Sequence, residues 1–572
     1  VLGVAGHSTL PVEPYSGATL EDCKELLCQR HPDTGAHTVH WSSSSAYDYH
    51  VDNYFGLKMR SSRMPIICFT PGPSRNRRYK LCHLTDQVEG ARTSVHQCDN
   101  IVEVYRALEA RTFRRLPVSP TAYGSVWDDA IKVMVKQVRA SVDVHKRPSY
   151  REAANTMLNP ARRAMLQRAA VRVENTPNDR YGHPIKPHAG VISGFLKLEK
   201  AMLTASGDVP APRVISPRDD ETAVMMRSLL HHLEKSIIGA IPALFGYQPV
   251  TKGESAEKVA KRFFNLSCRF NRPAYRSMDM SKFDSHVSQA ALHKEHSVYL
   301  GIYEGTEHWT LLRALLAKQL VTVAYFRTSS GVLKFRKDGG RGSGDINTGL
   351  GNVLINCLLI YVYATLNSIP LGSFSLVNNG DDSVLVTEHE DCRWDGYAAF
   401  CLEHGFKVNV EDPVYYVEAV RYCQSFCMAD ATPLSVRDPA RVAAKDTVTT
   451  RPMRTCRDLE SMSKSISLGG TATAGGVPVL AALYDMIGRG IQSKVKPSAM
   501  YHEYGWADRV ASVAHRRGMP VSDLARASFA LATGIGVQLQ LELERDYASR
   551  TLHRDVAAPP PCRGPAGLAL GA

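Results

Sequence analysis

The sequence predicts an α+β fold, with antiparallel strands flanked by helices. The first observation is SLVNNGDDSVLV, 375–386, where two β-prone runs surround a turn-forming NNGDD, a hairpin signature. The second is helical apolar spacing on both sides of that hairpin, across much of 100–171 and 430–550. The third is the apolar run VLINCLLIYVYATL, 353–366, which reads as a buried core helix. It is about 14 residues long, short of the ~20 that a membrane-spanning helix needs, so no transmembrane segment is expected. With 572 residues, 44% hydrophobic and 22% charged, the chain is globular rather than disordered and too long for a small binding module.

The elements follow in order. Residues 1–60 are polar and His-rich, with SSSS at 42–45, and read as an extended arm. The chain opens VLGVAGHSTLPVEPY. It shows no basic stretch leading into an apolar core, so no signal peptide is expected. The missing initiator methionine is consistent with processing, readthrough or trimming. Helices are predicted over 100–118, 126–142 and 149–171. Pro148 suits the start of the last, and Asn159-Pro160 divides it in two. Short strands follow between 191 and 220, then a helix over 221–245. After 271, strand, helix and hairpin signals alternate. The region 430–550 is mainly helical, with a Gly-rich interruption at SLGGTATAGG, 467–476. The last stretch, VAAPPPCRGPAGLALGA, reads as a mobile tail.

The net charge of +13 favours a polyanionic partner. Charge alone does not separate nucleic acid from an anionic membrane surface. The 13 cysteines are scattered, unlike those of a secreted disulfide scaffold. The group Cys401, His404, Cys423 and Cys427 is better read as buried small residues than as a zinc site. A reducing compartment is expected.

Three elements carry chemistry. In the hairpin, Asp381 and Asp382 follow Gly380. Like charges this close repel unless a cation compensates, although Asp and Gly are also ordinary turn residues. In RSMDMSKFDSHV, 276–287, Asp279 falls at a strand tip and Asp284 begins the next segment. In GGRGSGDINTGLGNVLIN, 339–356, a glycine-rich turn leads into a helix. Thr348 and Asn352 lie an i,i+4 step apart there, with Asn347 and Asn356 nearby. Polar groups on an apolar helix imply a ligand or buried partners. The element lacks the lysine and spacing of a nucleoside-triphosphate P-loop.

This ordered set resembles the palm of positive-strand viral RNA-dependent RNA polymerases, most closely the tombusvirus-like group and more distantly the flavivirus-type enzymes. MDMSKFDSH resembles the first palm motif, SGDINTGLGN the second and NNGDD the third. HGFKVNVEDPVYYVEAV, 404–420, resembles the fourth, and RYCQSFCM, 421–428, the strand pair where palm meets thumb. Upstream, GFLKLEK, 194–200, and PRVISPR, 212–218, resemble the basic fingers motif. TSVHQCDNIVEVYRALEARTF, 93–113, resembles the stretch linking fingers to thumb, and RDPARVAAKD, 437–446, a thumb segment.

The resemblance implies a closed right hand: an N-terminal arm over 1–59, fingers with their fingertips over 60–270, palm over 271–305, a fingers insertion over 306–344, palm again over 345–428, thumb over 429–550 and a flexible tail over 551–572. It implies RNA-templated RNA synthesis from ribonucleoside triphosphates, with two Mg²⁺ or Mn²⁺ ions and de novo initiation. Asp279, Asp381 and Asp382 would hold the metals, with the Met280 carbonyl as a further oxygen. Asp284, Ser343, Thr348 and Asn352 match positions that read the ribose 2′-hydroxyl. Lys197, Lys200, Arg213 and Arg218 would line the triphosphate channel, with Arg213 foremost. Ala211 and Pro212 stand where a further basic residue would fit the pattern. Lys407 would protonate the leaving pyrophosphate.

Implied partners are a single-stranded RNA template, the RNA duplex product, and viral or host replication proteins. The expected location is a replication complex in the host cytoplasm, in peripheral association with an intracellular membrane. A reverse transcriptase would show Tyr-x-Asp-Asp where this chain has NNGDD. A noncatalytic RNA-binding protein would have no need of all three acids.

Overall fold

The computed structural model describes residues 79–495 and 513–550, apart from 85–92, 114–116, 118–122 and Ala205, and four short strands between Thr38 and Pro71. The arm over 1–59, those strands aside, and the tail over 551–572 lie outside the described residues.

Local sequence explains where the early helices start. Asn100 caps Ile101–Arg111 by accepting the Val102 N–H, and the helix ends at Arg111, short of the expected 118. Ser149 and Glu152 form a reciprocal capping box at Tyr150–Asn155. A second helix, Pro160–Glu174, starts with Asn159 as cap and Pro160 in its first turn. The expected division at Asn159-Pro160 is therefore observed, and proline fits there because its missing N–H would have no intrahelical partner.

Two sheets organise the middle of the chain. One has six strands, in the order Thr38–His40, Ile66–Pro71, Gly331–Asp338, Val321–Thr328, Ile192–Leu196, Val214–Ile215. The Ile101–Arg111 helix packs on it through Val104, Leu108, Phe326 and Phe335. The other has four antiparallel strands: β1 (Pro273–Met280), β2 (Phe374–Asn378), β3 (Asp382–Glu388) and β4 (Val408–Val410), ordered β2-β3-β1-β4. The predicted hairpin is β2–β3.

Both faces of this second sheet are buried. Met278, Leu376 and Leu385 join a core with the helix Thr348–Leu366, while Tyr275, Val377, Val384 and Val386 pack against Ala260 and Phe263. The Thr348–Leu366 helix has 19 residues, and an 18-residue window of it has a mean hydropathy of 1.6, so by length and composition it could cross a membrane. However, 78% of that window is buried inside the protein, as befits the core helix predicted over 353–366.

The C-terminal region departs from expectation in one place. The predicted interruption at 467–476 is mostly absent: the helix Cys456–Thr473 runs straight through Gly469 and Gly470. These glycines permit close packing rather than a break. A Cβ on Gly470 would overlap the Tyr484 ring, and one on Gly488 would overlap the Ser467 side chain. The two helices, Cys456–Thr473 and Leu480–Gly488, therefore approach closely through small residues.

Chain segments far apart in sequence also join at Lys200. Its ammonium donates to the carbonyls of Lys445 and, at 3.1 Å, Val448. Nearby, Cys82–His83 pairs with Val448–Thr449 and the Thr93 hydroxyl donates to the Ala444 carbonyl at 2.8 Å. Lys200→Met is expected to weaken this closure, read as faster hydrogen exchange at residues 444–449.

Candidate active site

The register of β1 against β3 places Asp279 directly opposite Asp382. Asp381 occupies the β2–β3 turn, and its carbonyl accepts the Met280 N–H at 3.1 Å. Like charges directly opposed across strands are unfavourable, and none of the three carboxylates forms an ion pair with a described residue. The consequence appears in their protonation. Loss of water pushes all three carboxyls above the usual range. Asp382 reaches about 6, with the charges of Asp381 and Asp279 adding to its burial. For Asp381 the charges of Asp284 and Asp279 act in the same direction. Arg213 and Arg441 offset this only in part, and a partly dehydrated set of like-charged carboxylates is a fitting donor set for hard divalent cations.

The turn that holds these acids is built from behind. Gly380 has φ +96°, which a side chain would strain. Its N–H donates to Asn378 Oδ1 at 2.6 Å. Asn356, fully buried on the Thr348–Leu366 helix, donates to the Gly380 carbonyl at 2.6 Å. The Asn379 amide donates to Cys423 Sγ at 3.2 Å, and the Cys423 thiol adjoins Asp382. Asn356 was visible in sequence only as a polar residue on an apolar helix, and Cys423 only as one of several cysteines read as buried small residues.

Asp284, Ser343 and Asn352 converge. The Ser343 hydroxyl donates to Asp284 Oδ2, and the Asn352 amide donates to Oδ1 at 2.9 Å. Asn352 Oδ1 is buried with no hydrogen-bond partner, leaving an acceptor for a donor from outside the protein. Thr348 does not join them: its hydroxyl donates to the Gly342 carbonyl at 2.8 Å, closing the turn at the start of its helix.

The basic residues divide. Lys197 and Arg213 remain accessible, at 3.2 and 3.7 Å from a shared partner, Glu199. Arg111 lies behind Arg213 and donates to the carbonyls of Pro212 and Ala211 at 2.8 and 3.0 Å, fixing that loop's backbone. Glu199 and Arg111 carried no separate signal in the sequence. Lys200 was expected in the same channel but faces the carbonyls of Lys445 and Val448 instead.

Arg218 requires a correction too. Its side chain is 4% exposed, donates to Asp345 Oδ1 at 2.7 Å, and reaches the carbonyls of Gly190 and Lys318 at 2.7 and 2.9 Å. It is a buried structural arginine, since binding phosphate would require breaking these bonds. Lys407 is exposed, and its carbonyl accepts the Ser281 N–H at 3.1 Å, immediately beyond the Met280–Val408 pair.

Among the described residues, one group brings three metal-ligating atoms within 4.8 Å of one another: His188, Asp219 and Glu221. Both of its carboxylates are engaged. Asp219 caps the helix Asp220–Leu230, and Glu221 pairs with Arg172. It is separate from the acids of the four-stranded sheet.

Residues 68–555 match the family described as viral RNA dependent RNA polymerase. The chain belongs to that family. Similar proteins include the RNA-directed RNA polymerase of Oat chlorotic stunt virus, 34% identical over 63% of this chain and 49% of the relative. That of Carnation mottle virus is 34% identical over 67% of this chain and 49% of the relative, and that of Tomato bushy stunt virus is 32% identical over 63% and 43%. The chain thus spans about half the length of the first two relatives. Membership in the viral RNA polymerase family implies a right-hand fold, with which the mixed helices and sheets agree.

Proposed function

We propose that this chain synthesises RNA on an RNA template from ribonucleoside triphosphates by two-metal nucleotidyl transfer, replicating a positive-strand viral genome with de novo initiation. The observation that supports the reading is the trio of like-charged acids: Asp279 and Asp382 opposite each other across β1 and β3, with Asp381 in the adjoining turn. In this reading the four-stranded sheet is the palm, over 271–305 and 345–428. Fingers occupy 60–270 and 306–344, and the thumb 429–550.

Asp279 and Asp381 would hold Mg²⁺ or Mn²⁺ ions, assisted by Asp382 and the Met280 carbonyl. When bound, two such ions activate the attacking 3′-hydroxyl and stabilise the departing pyrophosphate. The chain's own groups do the rest. Lys197 and Arg213 attract the triphosphate. Asp284, Ser343 and the unpartnered Asn352 oxygen receive the ribose 2′-hydroxyl, which both donates and accepts, while Thr348 shapes the turn beside them. Lys407 stands at the end of β4 as the proton donor to pyrophosphate. The RNA template and product duplex, with viral or host replication proteins, complete the assembly. We place that assembly in the host cytoplasm, peripherally held on an intracellular membrane, and release of the protein by a high-salt wash is the expected sign.

Purified protein with a template RNA, ribonucleoside triphosphates and Mg²⁺ or Mn²⁺ should extend RNA, and Asp381→Asn should not. Equal activity in that variant overturns the acid assignment, and preferential use of deoxyribonucleotides overturns the substrate. Asp284→Ala is expected to reduce ribose-over-deoxyribose discrimination by roughly 10-fold or more, because a site built around a hydroxyl rejects its absence through unpaired polar groups.

A further inference from the structure

The turn that carries Ser343 rests on a buried charge pair behind the pocket. Glu295, on the helix Gln289–Ile302, and Arg341, in the glycine-rich turn, have side chains 0% and 1% exposed. Arg341 Nη2 donates to Glu295 Oε2, and its Nη1 lies 3.4 Å from Oε1. Oε1 also accepts the Tyr299 hydroxyl and the Asn347 amide, each at 2.8 Å. Asn347 Oδ1 accepts from Gln319 at 2.8 Å, and Gln319 Oε1 meets His296 Nε2 at 3.0 Å. One carboxylate therefore grips two points of the turn: Arg341 at its start, and Asn347 where the Thr348–Leu366 helix begins. Ser343 lies between them.

The connection continues to the pocket. The Arg341 N–H donates to the Asp284 carbonyl at 2.9 Å, and Ser343 and Asn352 both bond the Asp284 carboxylate. A Cβ on Gly351 would overlap the Glu295 carboxylate, which accounts for a glycine inside this apolar helix. Burial pushes the Glu295 carboxyl up, but the Arg341 guanidinium, helped by His296 and the Tyr299 hydroxyl, outweighs it and leaves the group below the usual range. A buried ion pair is a poor route to stability, because apolar residues of similar volume often serve as well. Its benefit here is geometric: a bidentate guanidinium–carboxylate pair fixes both distance and orientation.

We infer that Glu295 is a positioning residue for sugar selection, acting through Arg341 and Asn347 to set Ser343 against Asp284 and Asn352. The inference rests on the sugar-reading role proposed above for those three. Displacing a positioned group by about 1 Å is enough to cost a large factor in rate. Ser343 is held from one side by its carbonyl, which accepts the Ser216 N–H at 2.9 Å, and from the other by the Arg341–Glu295–Asn347 grip on its turn.

The test compares kcat and KM for UTP and dUTP on an RNA template, with melting temperatures, in four variants of the full chain. Glu295→Gln keeps the shape and removes the charge. Gly351→Ala keeps both charges and displaces the carboxylate. Glu295→Gln/Arg341→Gln removes both charges, and Asp284→Ala is the reference for direct reading. Discrimination against dUTP is expected to fall by roughly 10-fold in the first three, with KM for UTP raised. The double variant should recover the melting temperature lost in Glu295→Gln, since no buried arginine is left unpaired, yet keep the poor discrimination.

Recovery of both properties together would make Glu295 merely structural and overturn the inference. So would parental discrimination in folded Gly351→Ala while Asp284→Ala has lost it. If Asp284→Ala itself discriminates like the parent, the sugar-pocket reading fails and takes the inference with it. Should Glu295→Gln not fold, Gly351→Ala and the double variant decide.

Discussion

Asp382→Asn is expected to raise the melting temperature of the metal-free protein above pH 6 and to reduce RNA synthesis by roughly 10³-fold or more. Both effects come from one arrangement. The Asp382 carboxyl titrates near 6 because it is buried beside Asp381 and Asp279, whereas an unfolded chain would ionise it at about 3.9. A raised carboxyl favours the fold in acid, and that contribution is lost as pH rises through about 6. Below about pH 4 the group is neutral in both states, so asparagine should change little. The gain should grow across pH 4–6 and level off above. Mg²⁺ or Mn²⁺ should raise the parent's melting temperature at pH 8 and raise the variant's much less. Thermal melts at several pH values, with and without metal, check the stability half, and single-nucleotide extension checks the other. A variant that melts like the parent at pH 8 would remove the electrostatic account of the acids.

Arg218→Ala is expected to destabilise the protein by about 3–5 kcal/mol, the scale for breaking a buried ion pair from one side. The variant leaves Asp345 without its guanidinium and the carbonyls of Gly190 and Lys318 without their donor. A phosphate ligand would behave differently: removing it would raise KM for nucleotides while leaving the melt unchanged. Arg213→Ala should follow that second pattern, because its side chain is 57% exposed and its ion pair is a loose one with Glu199. Denaturant unfolding and nucleotide KM, measured on both variants, separate the two arginines.

These two arginines mark where sequence was legible. The hairpin, the split at Asn159-Pro160 and the strand-tip acids could be read because each is set by residues within a few positions. Turn formers surround Asp381, and proline starts a helix. Convergence of Asp284, Ser343 and Asn352 was accessible only through the family pattern, since Ser343 and Asp284 meet across separate segments. Arg218 and Lys200 engage protein partners instead of the expected channel, and Thr348 bonds the Gly342 carbonyl rather than Asp284, for the same physical reason. A polar side chain in a strand or at a helix start looks alike whether it faces a substrate or a distant carbonyl. Gly469 and Gly470 misled in another way. Glycine lowers helix propensity, but tight contact with the Tyr484 ring prevails there. Glu295 carried no signal because its three partners lie at 299, 341 and 347.

The pairing of β1 with β3 has a consequence for how the chain matures. Asp279 and Asp382 stand opposite each other only after a loop of roughly a hundred residues has closed, and such closure carries an entropic cost before any contact repays it. The intervening helices have local contacts and can form early, whereas this non-local ladder sets a slower step. During synthesis the acidic centre cannot exist until β3 has emerged from the ribosome. On the proposed reading, the nascent amino-terminal portion would be catalytically silent, because its acid on β1 lacks the facing one until β3 is made.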